Sequence, residues 1–177
     1  IDATCPLVYE IHHEVKKLDA EGRKVIVIGD HGHDEVVAIA DQVKDPIIVS
    51  NKEEALKIKR TRKIGVVSQS TQMIENVQDI INILMARIKD IRFINTICYP
   101  TKRNHEQIKD MANINDVMII IGSFTSANSK RLAEISKERN MKTYQISCSE
   151  DLSEKWFMKA NSVGVSAGAS TPDYIIE

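Results

Sequence analysis

The chain has 177 residues, 42% hydrophobic and 28% charged, with a formal net charge of −1 at pH 7. This is ordinary for a globular protein of one large or two small domains, and it gives no electrostatic argument for nucleic acid or an anionic membrane as partner. No run reaches the roughly 18 apolar residues of a membrane span, the first residues lack the pattern of a signal peptide, and three cysteines make no secreted disulfide framework, so a cytoplasmic protein is expected.

Pro6 suits the first turn of a helix, where its missing N–H is no loss. Leu7, Ile11, Val15 and Leu18 mark the apolar stripe of that helix, and Glu21-Gly22 ends it. Lys24 to Ile28 is a short β-branched run, as expected of a strand buried on both faces. A polar loop, Gly29 to His33, follows, with Asp34 the expected cap of a helix reaching about Val43. Pro46 to Val49 is the next predicted strand, Asn51 caps a short helix, and Ile64 to Val67 forms a third strand ending in Ser68-Gln69-Ser70-Thr71. A long helix is predicted over about 72–88, and a fourth strand, Ile91 to Ile94, runs toward Cys98. The lysine- and arginine-rich stretch 57–63 has no interleaved aromatics and leads into a strand, so it reads as a solvated turn.

The order then repeats. A helix starts near Thr101, strands are predicted at Val117–Ile121, Thr143–Ile146 and Ser162–Val165, and a helix at about 127–140. Cys5-Pro6 returns as Cys98-Tyr99-Pro100 at an offset of 93, and the same offset links Gly29 to Gly122, His33 to Ser126 and Glu35 to Asn128. Ser70-Thr71 pairs by type with Ser170-Thr171 at an offset of 100. A fixed offset between landmarks in one order marks a duplicated unit. The fold class is therefore α/β: two homologous βαβ units with small parallel sheets, over 1–97 and 98–171, with 172–177 starting a further segment. The chain opens without Met on a strand-like end and closes in what reads as the first turns of a helix, so it is expected to be an excerpt of a longer protein.

The polar loops all follow strand C-termini, where open α/β sheets bind ligands. Gly122 to Ser129 offers hydroxyls, an amide and backbone N–H groups at a helix start, which suits a phosphate, although Ser, Thr and Asn are also common helix caps. Gly168-Ala169-Ser170-Thr171-Pro172 is a second loop of that kind. In the first unit the matching loop carries His33 and Glu35, an imidazole that can donate to a diphosphate and a carboxylate that can relay protons. Cys5 and Cys98 stand at equivalent strand ends: two thiolates converging on one centre suit a soft metal or iron–sulfur cluster, and the competing reading is two small buried hydrophobes. Cys148 has no counterpart and reads as structural, His12 and His13 as surface residues, and His31 stays ambiguous.

Together, Asp2-Ala3-Thr4-Cys5-Pro6, Gly32-His33-Asp34-Glu35-Val36, Ser68-Gln69-Ser70-Thr71, Asn95-Thr96-Ile97-Cys98, Ser126-Ala127-Asn128-Ser129 and Gly168-Ala169-Ser170-Thr171-Pro172-Asp173 resemble the hydroxymethylbutenyl diphosphate reductase (IspH/LytB) family. The motifs span nearly the whole chain in the family's order. The resemblance implies a pseudo-threefold architecture of three α/β units around a [4Fe-4S] cluster, each giving one cysteine, with the N-terminal unit missing here. It implies reductive dehydroxylation of an allylic diphosphate to isopentenyl and dimethylallyl diphosphates, with electrons from a donor such as ferredoxin or flavodoxin. Cys5 and Cys98 would be metal ligands, Glu35 and Ser70 catalytic, and His33, Ser126, Ala127, Asn128 and Ser170 would bind the diphosphate. On this reading two cysteines are too few for a stable cluster, so the isolated chain is expected to hold none, or an incomplete one, and to be inactive.

The chain departs from the family pattern at Asp34 (usually Pro), Ala38 (usually Gly), Ser70 (usually Thr), Ala127 (usually Ser, so one side-chain contact is lost) and the residues after Cys98. The alternative reading is a redox-silent α/β module that binds a phosphorylated ligand.

Overall fold

A computed structural model describes residues 5–169 and 171–176, and the chain divides into two compact units, Ile1–Tyr99 and Pro100–Glu177. The order of unit 1 is α1 (Pro6–Ala20), β1 (Lys24–Ile28), α2 (Asp34–Ala40), β2 (Ile47–Val49), α3 (Lys52–Lys57), β3 (Lys63–Ser68), α4 (Ile74–Met85) and β4 (Asp90–Phe93). Its four strands are all parallel, in the order β2-β1-β3-β4.

The β-branched runs explain why this sheet is buried on both sides. Alternate side chains leave a strand on opposite faces. Val25 and Val27 join Ile11, Val15 and Leu18 of α1 and Val36 and Ile39 of α2 in one core. Ile26 and Ile28 join Ala55 of α3 and Val77, Ile80 and Leu84 of α4 in the other. Each such side chain contributes about 1.5–3 kcal/mol on burial, so the helices are held mainly by these two layers.

Unit 2 takes its main helix α5 (Tyr99–Ile114) from the unit boundary and continues with β5 (Val117–Ile121), α6 (Ala127–Lys137), β6 (Thr143–Ile146), β7 (Val163–Ala167) and α7 (Asp173–Ile176). Its three parallel strands run β6-β5-β7, and β5 is buried along its whole length. Between β6 and β7 lie two short 3₁₀ turns, and Trp156 in the second stacks flat on Tyr144 of β6 with ring centroids 3.9 Å apart.

Some element ends differ from the sequence reading. The cap of α2 is His33, not Asp34, because the His33 ring takes the Glu35 N–H. The same helix ends at Ala40 rather than near Val43: Gln42 donates to the Ala38 carbonyl at 2.8 Å and satisfies one terminal acceptor, and the chain then turns toward Pro46. Helix α4 starts at Ile74, with Met73 in the N-cap position, and ends at Met85. Helix α6 stops at Lys137, and β7 runs from Val163 to Ala167. The strand pairings Ile28 with Ser68 and Ile121 with Ala167 set the third strands at an offset of 99 (167 − 68). No helix among the described residues is long and apolar enough to cross a membrane.

Candidate functional site

Where the strand order reverses between β1 and β3, the loops after these two strands meet, and that is where open α/β sheets leave a ligand crevice. His33 caps α2 by accepting the Glu35 N–H on Nδ1 at 3.2 Å. With Nδ1 as acceptor the neutral ring carries its proton on Nε2, the form that can donate to an anionic ligand. Glu35, the second residue of the helix, reaches across to the other loop. Its Oε1 accepts the Ser70 N–H at 2.6 Å and its Oε2 accepts the Ser70 hydroxyl at 2.8 Å. Ser70 is 9% exposed, so this is a shielded, charge-assisted pair.

The same serine anchors the cysteine loop. The Cys98 N–H donates to the Ser70 carbonyl at 3.0 Å. Thr96 closes the end of β3, with its hydroxyl accepting the Ser68 N–H at 2.8 Å, and Ile97 is sunk into the core beneath. Residues 94–99 and the side chains of Leu7, Glu10, Ile11 and Glu14 from the first turns of α1 line a pocket of ≈ 220 Å³ that includes Cys98. Cys5 is the exposed N-cap residue of that helix. Among the described residues no cysteine is in a disulfide, and no group of three His, Cys, Asp or Glu side chains converges as a metal site. Thiols are the right donor type for an iron–sulfur cluster, but Cys5 and Cys98 are only part of a ligand set.

Unit 2 repeats the crevice with different chemistry. Ser126 caps α6 by accepting the Ser129 N–H on its hydroxyl at 3.3 Å. The N–H groups of Ala127 and Asn128 open the helix, where no intrahelical acceptor exists. The side-chain nitrogen of Asn128 is buried and has no hydrogen-bond partner among the described residues. An orphaned donor beside a helix N-terminus is suited to an anion. Gly122 closes the crevice from behind: its φ is +155°, and a Cβ there would lie 2.2 Å from the Ser129 hydroxyl oxygen. The Gly168 N–H and the Thr171 hydroxyl both donate to the Ile121 carbonyl, at 2.9 and 3.1 Å, tying the loop after β7 to β5.

The structure thus brings His33, Glu35, Ser70 and Cys98 together in unit 1 and Ser126, Ala127 and Asn128 together in unit 2, and Ser170 lies outside the described residues. Gln69 and Thr96, which the motifs contain without an expected role, are hydrogen-bonded between loops. A glutamine between two hydroxyl residues at the end of a buried strand was the available signal. His31 is exposed and paired with Glu54 at 2.9 Å, away from the Glu35–Ser70 pair. His12 is not the surface residue expected: it is half-buried, its Nε2 is buried without a partner among the described residues, and its pKa is lowered by burial and by Lys16, against an upward pull from Glu35.

Comparison with known proteins gives the context. The family model described as LytB protein matches residues 1–177. The 4-hydroxy-3-methylbut-2-enyl diphosphate reductases of Geobacter sulfurreducens and Aquifex aeolicus are each 40% identical, over the whole of this chain and 63% of their own length. A solved structure of (E)-4-hydroxy-3-methyl-but-2-enyl diphosphate reductase, the terminal enzyme of the non-mevalonate pathway, shares 41% identity at a TM-score of 0.62, over 99% of this chain and 64% of that one. The E-1-hydroxy-2-methyl-but-2-enyl-4-diphosphate reductase from Plasmodium falciparum shares 28% identity at a TM-score of 0.91, over 99% of this chain and 57% of that one. The chain therefore spans about 63% of the length of the curated relatives it matches. A match along every residue, with the motif loops set at the ends of parallel strands, means that this chain belongs to the LytB protein family.

Proposed function

We propose that this chain is part of a 4-hydroxy-3-methylbut-2-enyl diphosphate reductase, an iron–sulfur oxidoreductase of the non-mevalonate isoprenoid pathway acting in the cytoplasm. The observation that carries the reading is the Glu35–Ser70 pair bonded to the backbone of Cys98, since a carboxyl and a hydroxyl able to relay protons stand next to a candidate iron ligand. The reaction replaces an allylic hydroxyl by hydrogen: two electrons and two protons enter, the C–O bond breaks, and water leaves with isopentenyl or dimethylallyl diphosphate as product.

Cys5 and Cys98 would each hold one iron, and the remaining protein ligand would come from outside these residues. When bound, the cluster supplies the electrons, drawn from a ferredoxin or flavodoxin, and a Lewis-acidic iron for the hydroxyl. The rest falls to this chain's own side chains. Glu35, which accepts the Ser70 hydroxyl on Oε2 at 2.8 Å, would take up a proton and relay it through Ser70, whose hydroxyl turns to donate toward the leaving hydroxyl. His33 donates from Nε2 to the diphosphate. Ser126, Asn128 and Ser170 add neutral donors, and Ala127 adds only its backbone N–H.

The test is turnover of the hydroxymethylbutenyl diphosphate by the complete, anaerobically purified protein with reduced ferredoxin or flavodoxin. Formation of both five-carbon diphosphates is expected. Binding of the diphosphate with no turnover, in a protein carrying its full iron content, overturns the reading in favour of a redox-silent module.

A further inference from the structure

We propose that Gln69 is a positioning residue for the Glu35–Ser70 pair: its side-chain amide clamps the loop after β1 to the loop after β3. For its effect on turnover this rests on the reductase reading above; the clamp itself does not.

Gln69 is 1% exposed, and both ends of its amide are committed. Oε1 accepts the Asp30 N–H at 3.0 Å, in the loop after β1. Nε2 donates to the Thr71 hydroxyl at 3.0 Å, in the loop after β3. The Gln69 N–H meanwhile extends the strand ladder by donating to the Ile28 carbonyl at 2.8 Å. The fit below is close: a Cβ on Gly29 would lie 3.1 Å from the Gln69 Cβ and 2.5 Å from Val36, so only glycine lets the two loops approach this closely. A buried amide satisfied in this way has little capacity left for a ligand, and its work is holding backbone.

What it holds is the next residue. Both bonds to Glu35 come from Ser70, one from its N–H and one from its hydroxyl, so a small shift of this loop alters both at once. Hydrogen bonds weaken steeply with distance and misalignment, and a proton route from Glu35 through Ser70 needs both. Unit 2 offers the control. Its strand registers place Gly168 level with Gln69, and there the Thr171 hydroxyl ties the loop to the Ile121 carbonyl instead. An amide that joins the loops after the two central strands is thus found in unit 1; in unit 2 the amide on the loop after β5 comes from β6, where Gln145 donates to the Gly122 and Ser123 carbonyls.

The experiment is Gln69→Met in the complete protein, a change that keeps length and removes both polar contacts. Amide hydrogen exchange at Asp30 and Ser70 should quicken by about tenfold or more, with Val27 and Val67 unchanged. Turnover should fall by about tenfold with KM within about twofold, and the same change made on a Ser70→Ala background should cost less than about twofold, because the clamp acts through Ser70. Ser70 exchange at the parental rate overturns the proposal, as does an undiminished loss of turnover on the Ser70→Ala background. Should Gln69→Met fail to fold, Thr71→Val decides, since it removes one arm of the clamp and must also quicken exchange at Ser70. A parent protein without turnover whose Ser70 amide still responds to Gln69→Met removes the reductase reading and leaves the clamp standing.

Discussion

The loops after β1 and β5 are the same piece of structure used in two ways. Each follows a buried strand, begins with a glycine and ends in a helix cap, His33 in unit 1 and Ser126 in unit 2. Two residues on, unit 1 has Glu35 bonded to Ser70, whereas unit 2 has Asn128, whose buried side-chain nitrogen has no hydrogen-bond partner among the described residues. One further on, Val36 packs under Gly29, whereas Ser129 packs under Gly122. The scaffold therefore fixes where a side chain stands, and the residue type decides its task. Unit 1 presents an ionisable carboxyl bonded to a hydroxyl, and unit 2 presents hydroxyl and amide groups at the matching loop.

The largest expected effect concerns the thiols of Cys5 and Cys98, both in unit 1, which alone fall short of a cluster. The isolated chain, purified anaerobically, should hold no stable [4Fe–4S] cluster, because Cys5 and Cys98 leave its ligand set incomplete. About four irons per chain surviving gel filtration would contradict this. Next, Glu35→Gln in the complete enzyme keeps the hydrogen-bonding shape and removes the proton, so turnover should drop by about 10² to 10⁴ with the cluster spectrum unchanged. A loss of only a few fold would make Glu35 structural and erase the contrast between the loops.

On the unit 2 side, Asn128→Ala should raise KM for the diphosphate by about tenfold, since hydrogen bonds to charged groups are worth roughly 1.5–3 kcal/mol each, and should leave kcat within a few fold. A fall in kcat with KM unchanged would move Asn128 to the proton-handling side. The caps give a smaller effect. Ser126→Ala should destabilise α6 by about 1 kcal/mol in chemical denaturation.

The smallest effect is pH-dependent and belongs to unit 1. Burial, the largest cause, and Lys16 lower the His12 pKa from 6.5, while Glu35 opposes them. The unfolded chain then binds the proton more readily than the folded one, so this group's stabilising share is present above about pH 6.5 and is lost as pH falls toward the lower folded value. In His12→Leu that part of the pH dependence should disappear from denaturation curves recorded between about pH 5 and 8. An unchanged pH profile would mean that His12 titrates alike in both states.

Much of this was legible in the residues. Lys24–Ile28 and Val117–Ile121 were recognisable as strands from short β-branched runs, and Thr143–Ile146 from its place in the repeated order. The motif residues were recognisable because His, Glu, Ser and Cys carry chemistry that few other side chains supply. The repeat could be read from spacing alone, since the equivalent residues keep one offset along most of the unit.

Other features could be settled only in three dimensions. Which residue caps α2 depended on whether the imidazole of His33 or the carboxylate of Asp34 reached a free N–H, and both types are capable of it. The bond from Glu35 to Ser70 joins residues 35 positions apart, and the clamp through Gln69 spans 39, so no local pattern announces either. The sequence by itself determined the elements, the duplication and the reactive residue types, because these follow from local propensity and spacing. Only the tertiary structure decided which buried polar groups satisfy one another, because that depends on which strand ends the sheet order β2-β1-β3-β4 makes neighbours.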